Sequence, residues 1–542
     1  SEGITDAFGI PGAGINPVYK YLRDSKIRHY TMRHEEAAVH AADAYFRASG
    51  RMATAICTSG PGATNFITGL YTAQIDSIPL IAITGQAVSA QLGKEAFQCV
   101  DIAEIAKKVS KKTWCVTRAE ELPRVVREAF RTAREGRPGP VVLDLPLDVQ
   151  MADISWNAAE DGPLAVTRPS ARPDEISRAL DMLLAAEAPL FIMGGGVILS
   201  GAEKECVELA EYLQIPVITT YMAKGGIPVG HPLNAGHAGI QVGQPIGNHY
   251  FLGSDLVLGI GCRFTDRHTG NIAVYRGKRK FIHIDIEASQ IGKIFAPDLG
   301  IVSDAGAAIK ALLAEAKKCG PARTAGELVK ALPQKRLELK RATHFDTTPI
   351  KPQRVYEEIN AFYDDETFFT TGCGLNQIWS GQFQEINKPR RYLPSGGAGT
   401  LGFDIPAAIG ASIAAGKKRA VAVMGDFGFT FLVEELAVAR KYGLPLTVII
   451  LNNATLSLIR QNQKYAYGYE YAVEMKENKE YIDYVTVAQG FGCRAERVTQ
   501  AGDIASALAR ANTHSGPSVV EIFVEDNTDC SMGAALDAVK EF

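Results

Sequence analysis

The segment Ala420 to Leu458, AVAVMGDFGFTFLVEELAVARKYGLPLTVIILNNATLSL, constrains the fold more than any other part of the chain. An apolar run, Ala420 to Met424, ends at Gly425-Asp426. A helical pattern, Phe431 to Tyr442, is stopped by Gly443, with Pro445 just beyond. A second apolar run, Leu446 to Leu451, ends at Asn452-Asn453. A helical crossover makes the two strands parallel. Asp426 and Asn453, 27 residues apart, then fall at the carboxyl ends of neighbouring strands, the edge along which open α/β sheets bind ligands. A carboxylate and an amide oxygen suit a hard cation such as Mg2+, which takes its other ligands from phosphate and water. Gly425 and Gly428 would let backbone N–H groups approach that phosphate. The same pattern also suits a plain βαβ unit, with Asp426 as a helix N-cap and Asn452-Asn453 as a turn.

A chain of 542 residues exceeds one hydrophobic core, so three domains are expected. Its net charge of −3 is spread without a basic block, which argues against nucleic acid or a membrane surface as partner. Nine cysteines, scattered and without a CxxC, read as reduced thiols of a cytoplasmic enzyme. No apolar run is long enough to span a bilayer. The N-terminal residues show no signal peptide and are expected to lie near the end of a first helix.

Short apolar strands alternate with helical patterns throughout, predicting an α/β protein of three doubly wound domains with mostly parallel sheets. The first spans residues 1–160, with strands near Phe8, Ile27–Thr31, Ala53–Cys57, Ile78–Thr84 and Val141–Leu145. A linker, Asn157 to Asp174, leads to a second domain at 175–315, with strands Leu190–Met193, Val217–Thr220, Leu256–Ile260 and Lys280–Ile286. A polar connection, Lys317 to Lys351, leads to a third at 352–542, whose architecture is expected to repeat that of the first.

The spacing of Gly425-Asp426 and Asn452-Asn453 resembles the cofactor signature of thiamine-diphosphate enzymes. The resemblance implies that Asp426, Asn453 and the carbonyl of Thr455 hold the Mg2+ of the diphosphate. It places Gly372, Gly374, Asn376, Gly425, Phe427, Gly428 and Leu458 around the cofactor. Leu401, in Gly397-Ala398-Gly399-Thr400-Leu401-Gly402, becomes the apolar wedge that bends it. Arg33-His34-Glu35 makes Glu35 the carboxyl that exchanges a proton with the aminopyrimidine ring, the step that activates the cofactor; Glu36 reads as a charged first helical turn.

Further motifs narrow the resemblance to the acetolactate synthase branch. Phe97-Gln98 matches a pair lining the reaction chamber there. Gly194-Gly195-Gly196, Gly259 to Phe264, His283-Ile284-Asp285 and Ser303-Asp304 resemble its FAD-binding pattern, with Arg263 meeting the diphosphate and Asp285 and Asp304 near sugar and adenine. That FAD is expected to be structural. Arg267 aligns with an arginine that holds a substrate carboxylate. The segments GDFGFTFLVEELAVA, HIDIEASQIGKIFAPDLGIVSDA, LIRQNQ and SMGAALD look most like the glyoxylate carboligases, over nearly the whole chain. Asn462 stands where many acetolactate synthases carry Trp, and a small polar residue suits a small polar acceptor. Glyoxylate carboligases carry Val where this chain has Glu35. The resemblance implies a decarboxylating carboligase of small 2-oxo acids, glyoxylate foremost, with acetolactate synthase, 2-oxo-acid decarboxylase and a flavin-dependent oxidase as alternatives. It also implies a homodimer or homotetramer whose active site lies between subunits.

Overall fold

The structure is a computed structural model describing residues 2–157, 162–476 and 482–541. The expected first boundary at 160 and part of the linker from Asn157 lie outside the described residues. Three six-stranded sheets follow one another along the chain. The first holds β1 (Asp6–Gly9), β2 (Arg28–Thr31), β3 (Thr54–Cys57), β4 (Ile81–Gln86), β5 (Lys112–Cys115) and β6 (Val141–Pro146). The second holds β7 (Pro189–Met193), β8 (Val217–Thr219), β9 (Asn234–His237), β10 (Leu256–Ile260), β11 (Lys280–Asp285) and β12 (Leu299–Val302). The third holds β13 (Phe368–Thr371), β14 (Tyr392–Pro394), β15 (Ala420–Gly425), β16 (Leu446–Asn452), β17 (Arg494–Val498) and β18 (Ser518–Phe523).

All the paired strands run parallel, as helical crossovers require. The first sheet runs β2-β1-β3-β4-β6-β5 and the third β14-β13-β15-β16-β18-β17, the same order strand for strand. The second differs, running β12-β11-β10-β7-β8-β9.

The first and third sheets share one apolar core. Its centre is the crossing of two alanine-rich helices, Glu35–Ser49 and Asp404–Ala414, the latter buried along its whole length. A helix apolar on every face belongs in an interior. Here small residues let the backbones meet, since a Cβ on Gly410 would lie 2.0 Å from the carbonyl oxygen of Ala41. The Glu35–Ser49 helix starts on the side chain of His34, which accepts from the Glu36 N–H, and ends at Gly50 in the left-handed region.

The helices depart from the sequence reading in two places. Residues 2–5 carry no helix. The expected helix Phe431–Tyr442 begins only at Glu435, and a separate short turn, Asp426–Phe429, precedes it. Leu432, at φ +57°, separates them. One start sets Asp426 at the strand end, and the second sets Glu435 beneath the first domain. No described helix is long and apolar enough to cross a membrane.

Candidate active site

The carboxyl edge of the third sheet gathers most of the expected cofactor residues. Gly425 pairs with Leu451 in the β15–β16 register, so Asp426 and Asn453 both lie just past the strand ends. Asp426 is 4% exposed and forms no ion pair among the described residues. Burial pushes its carboxyl up to about 7, against backbone N–H groups of Phe427, Asp426 itself and Ala454 that favour the charged form. A buried carboxylate without a cation is unfavourable, which makes this a place for one.

The Asn453–Ser457 turn is tied internally. Asn453 donates its amide nitrogen to Ser457 Oγ at 2.6 Å, keeping its oxygen as the available donor atom. The Thr455 carbonyl accepts from the Ser457 N–H at 2.8 Å and its hydroxyl at 3.0 Å. No group of three or more His, Cys, Asp or Glu positioned for a metal occurs among the described residues. One carboxylate with neutral oxygens fits Mg2+ held jointly by protein and phosphate.

Around these atoms two glycines, Gly372 and Gly374, have no room for a side chain. A Cβ on Gly374, at φ +118°, would sit 2.5 Å from Asn376 Oδ1, and one on Gly425 would sit 3.4 Å from the same oxygen. A Cβ on Gly372 would meet the buried Asp404 carboxylate, which accepts the Gly372 N–H. Leu401 Cδ2 lies 3.8 Å from the Cβ position of Gly428, which puts the expected wedge beside the Asp426 turn. Phe427 packs edge-on against Phe431. Leu458 is half-buried against the apolar core, and Asn462 is exposed at the end of the helix Ser457–Asn462.

Glu35 occupies a different notch, at the carboxyl end of the first sheet. Asn65 Nδ2 donates to its Oε2 at 2.9 Å, and a Cβ on Gly62 would lie 3.1 Å from Oε1. Gln98, at φ +55°, packs on the same turn, 2.8 Å from the Cβ position of Gly60. Phe97 is 89% exposed. Among the described residues, no hydrogen bond or ion pair joins Glu35 to the Asp426 set within one chain.

Sequence reasoning passed over Glu435. Its side chain is fully buried, and Oε1 accepts the N–H groups of Arg33 and His34, each at 2.9 Å, while Oε2 has no partner. Burial pushes its carboxyl up to about 8. One of two adjacent acidic residues in a helical pattern, as in VEELAVA, reads as an exposed face; nothing local marks Glu435 as buried.

The central domain faces a cavity of about 510 Å3. Gly195, Gly196, Arg263, Arg267, Asp285 and Asp304 all line it. Gly194 lies behind, where a Cβ would come 2.1 Å from the Gly261 oxygen. Asp304 caps the helix Ala305–Cys319 and pairs with Arg168 at 3.0 Å. Burial raises the Asp285 carboxyl, with the Glu287 N–H, Arg137 and Arg263 opposing. Arg267 is exposed and donates to Gln241 Oε1 at 2.6 Å.

Three family profiles match the chain: the N-terminal TPP binding domain of thiamine pyrophosphate enzymes over residues 1–105, their central domain over 176–312, and their C-terminal TPP binding domain over 372–522. The chain is a thiamine-diphosphate-dependent enzyme. It is 46% identical to a glyoxylate carboligase of Escherichia coli O157:H7, covering 100% of this chain and 94% of that one. It is 39% identical to an acetolactate synthase large subunit of Corynebacterium glutamicum (96% and 84% covered) and 38% identical to a probable one of Methanocaldococcus jannaschii (97% and 90%).

Proposed function

We propose that this enzyme is a Mg2+-dependent carboligase that decarboxylates one 2-oxo acid and joins the remainder to a second, with two glyoxylates giving tartronate semialdehyde and CO2. The observation that carries the reading is the unpaired, buried Asp426 beside the Asn453–Thr455 turn, with Leu401 against Gly428, in a chain related over its whole length to a glyoxylate carboligase. Asp426, Asn453 and the Thr455 carbonyl would hold Mg2+, and Gly372, Gly374, Asn376, Gly425 and Gly428 would let the diphosphate approach the backbone, with Phe427 and Leu458 flanking it.

Thiamine diphosphate, when bound, supplies the carbon nucleophile and the electron sink for the loss of CO2. Glu35, held by Asn65, moves a proton to and from the aminopyrimidine nitrogen. Leu401 would pack against the bound cofactor as an apolar wedge, Phe97 and Gln98 would wall the chamber, Arg267 would hold a substrate carboxylate, and Asn462 would leave room for a small polar acceptor. The separation of Glu35 from Asp426, with Phe97 exposed on one chain, supports a homodimer or homotetramer in which the first domain of one subunit completes the third domain of the next.

The cavity fits FAD: glycines admit the backbone, Arg263 suits a diphosphate, and the carboxylates of Asp285 and Asp304 suit sugar and adenine. Carboligation transfers no net electrons, so this flavin is structural. Segments 1–160, 175–315 and 352–542 would be the pyrimidine, FAD and diphosphate domains. Nine unpaired thiols fit a reducing cytoplasm.

Product analysis with glyoxylate, pyruvate and their mixture tests the reading. Tartronate semialdehyde from glyoxylate supports it. Acetolactate as the sole ligation product would transfer the chain to acetolactate synthases, the reading that Glu35 itself favours.

A further inference from the structure

We propose that Asp76 is a positioning residue that couples occupancy of the central cavity to the loop carrying Leu401. Asp76 ends the helix Phe66–Ile75 of the first domain, and its side chain is fully buried. Three domains meet on this one carboxylate. Its Oδ2 accepts from Arg47 Nη2 at 3.1 Å and the Gly396 N–H at 3.0 Å, while Oδ1 accepts the Gly397 N–H at 2.8 Å. Arg263 of the central domain stands 3.7 Å from Oδ1. Asp76, Arg263, Gly396 and Gly397 all line the cavity.

The grip on the loop is close. A Cβ on Gly397 would lie 2.7 Å from Asp76 Oδ1. The same helix holds the far end of the loop, through Thr72 Oγ1 and Thr400 Oγ1 at 2.7 Å. Leu401 is the next residue, so its position is set from the first domain. Arg263 is the adjustable partner. A phosphate in the cavity competes for its guanidinium, because charge-assisted bonds to phosphate are strong and bidentate. Asp76 then gives its charge to Arg47 and to the two loop N–H groups. Filling the cavity therefore tightens the Ser395–Leu401 loop and strengthens the thiamine diphosphate site, and the effect is reciprocal.

The inference rests on the reading of the cavity as a flavin site. The test uses flavin-free full-length protein, with FAD and Mg2+–thiamine diphosphate as probes. In the wild type, FAD should lower the thiamine diphosphate Kd by at least about 5-fold, the lower end of ordinary coupling. D76N keeps the size and an acceptor but loses the charge; it should bind each ligand alone while the Kd ratio falls to about one. A second arm needs no variant: hydrogen exchange at the Gly396 and Gly397 amides should slow on FAD binding. FAD bound with unchanged exchange, or with a wild-type ratio of one, overturns the inference alone. No FAD binding overturns the cavity reading as well.

Discussion

The first and third sheets have the same strand order and opposite chemistry at the same edge. After the second strand, the first sheet presents Glu35 at a helix start, while the third presents the loop to Leu401. After the third strand, the first sheet presents Thr58–Gly62, all backbone and hydroxyl, while the third presents Asp426. Glu35 is half-exposed and held by one amide; Asp426 is buried, with backbone donors alone. The first arrangement leaves a carboxyl reachable from the sheet edge, and the second buries a carboxylate with no cation beside it among the described residues. On the proposed reading, a shared scaffold would serve binding at one copy and proton transfer at the other, the difference residing in the loops.

Substitutions should separate the two edges by what they damage. Asp426→Ala should abolish turnover by removing Mg2+-dependent retention of thiamine diphosphate, which titration calorimetry with and without Mg2+ reads directly. Unchanged affinity would deny the third sheet its binding role. Glu35→Gln should leave that affinity within a few-fold and slow proton–deuterium exchange of the bound cofactor by roughly 100- to 10,000-fold, the range of general acid–base help. Loss of affinity with normal exchange would reverse the assignments.

If the two edges meet only across subunits, the two inactive variants should rescue each other. Random mixing of Glu35→Gln and Asp426→Ala protomers makes half the dimers mixed, each with one intact site of two, so about a quarter of wild-type activity should return. No recovery after verified subunit exchange would place both edges in one chain. A smaller change probes the substrate: Glu35→Val should keep measurable ligation of glyoxylate while reducing the share of aldehyde released, measured as a product ratio.

How much of this was legible in the chain follows from burial. The interior strands β7, β10, β15 and β16 are apolar runs covered on both faces, and their limits were readable to within a residue or so. The strands left unmarked are mostly sheet edges: β5, β9, β12, β14 and β17, with sequences such as KTWC, NAGH and RAERV. In β5, β9 and β17 polar or small residues break any apolar run, and β14 has only three residues, so periodicity carries little sign of them. β18, an inner strand, was also missed, because Glu521 interrupts it; that carboxylate is buried and paired with Asn452 and Arg497. At the site, residues marked by glycine spacing or by order in a motif were readable. Glu435 was not, since its partners, the Arg33 and His34 N–H groups, lie 402 and 401 residues away.

Glu435 is the joint between the two sheets, and it offers the mildest way to test their independence. Its folded-state carboxyl, at about 8, lies above its ordinary value of 4.5. The stability it contributes is therefore full below about 4.5 and is lost as pH rises through about 8. Glu435→Gln cannot ionise and keeps an oxygen for the Arg33 and His34 N–H groups. The variant should match the wild type in Tm near pH 5 and exceed it near pH 9, with turnover changed only a few-fold. Glu435→Ala, which cannot ionise either, should lie about 1–3 kcal/mol below Glu435→Gln at every pH, because it leaves the Arg33 and His34 N–H groups without their acceptor. If wild type and Glu435→Gln lost Tm in parallel from pH 5 to 9, Glu435 would be ionised throughout. The strand that delivers Glu35 would then be held by charge across the domain joint, and the two edges could not be varied independently.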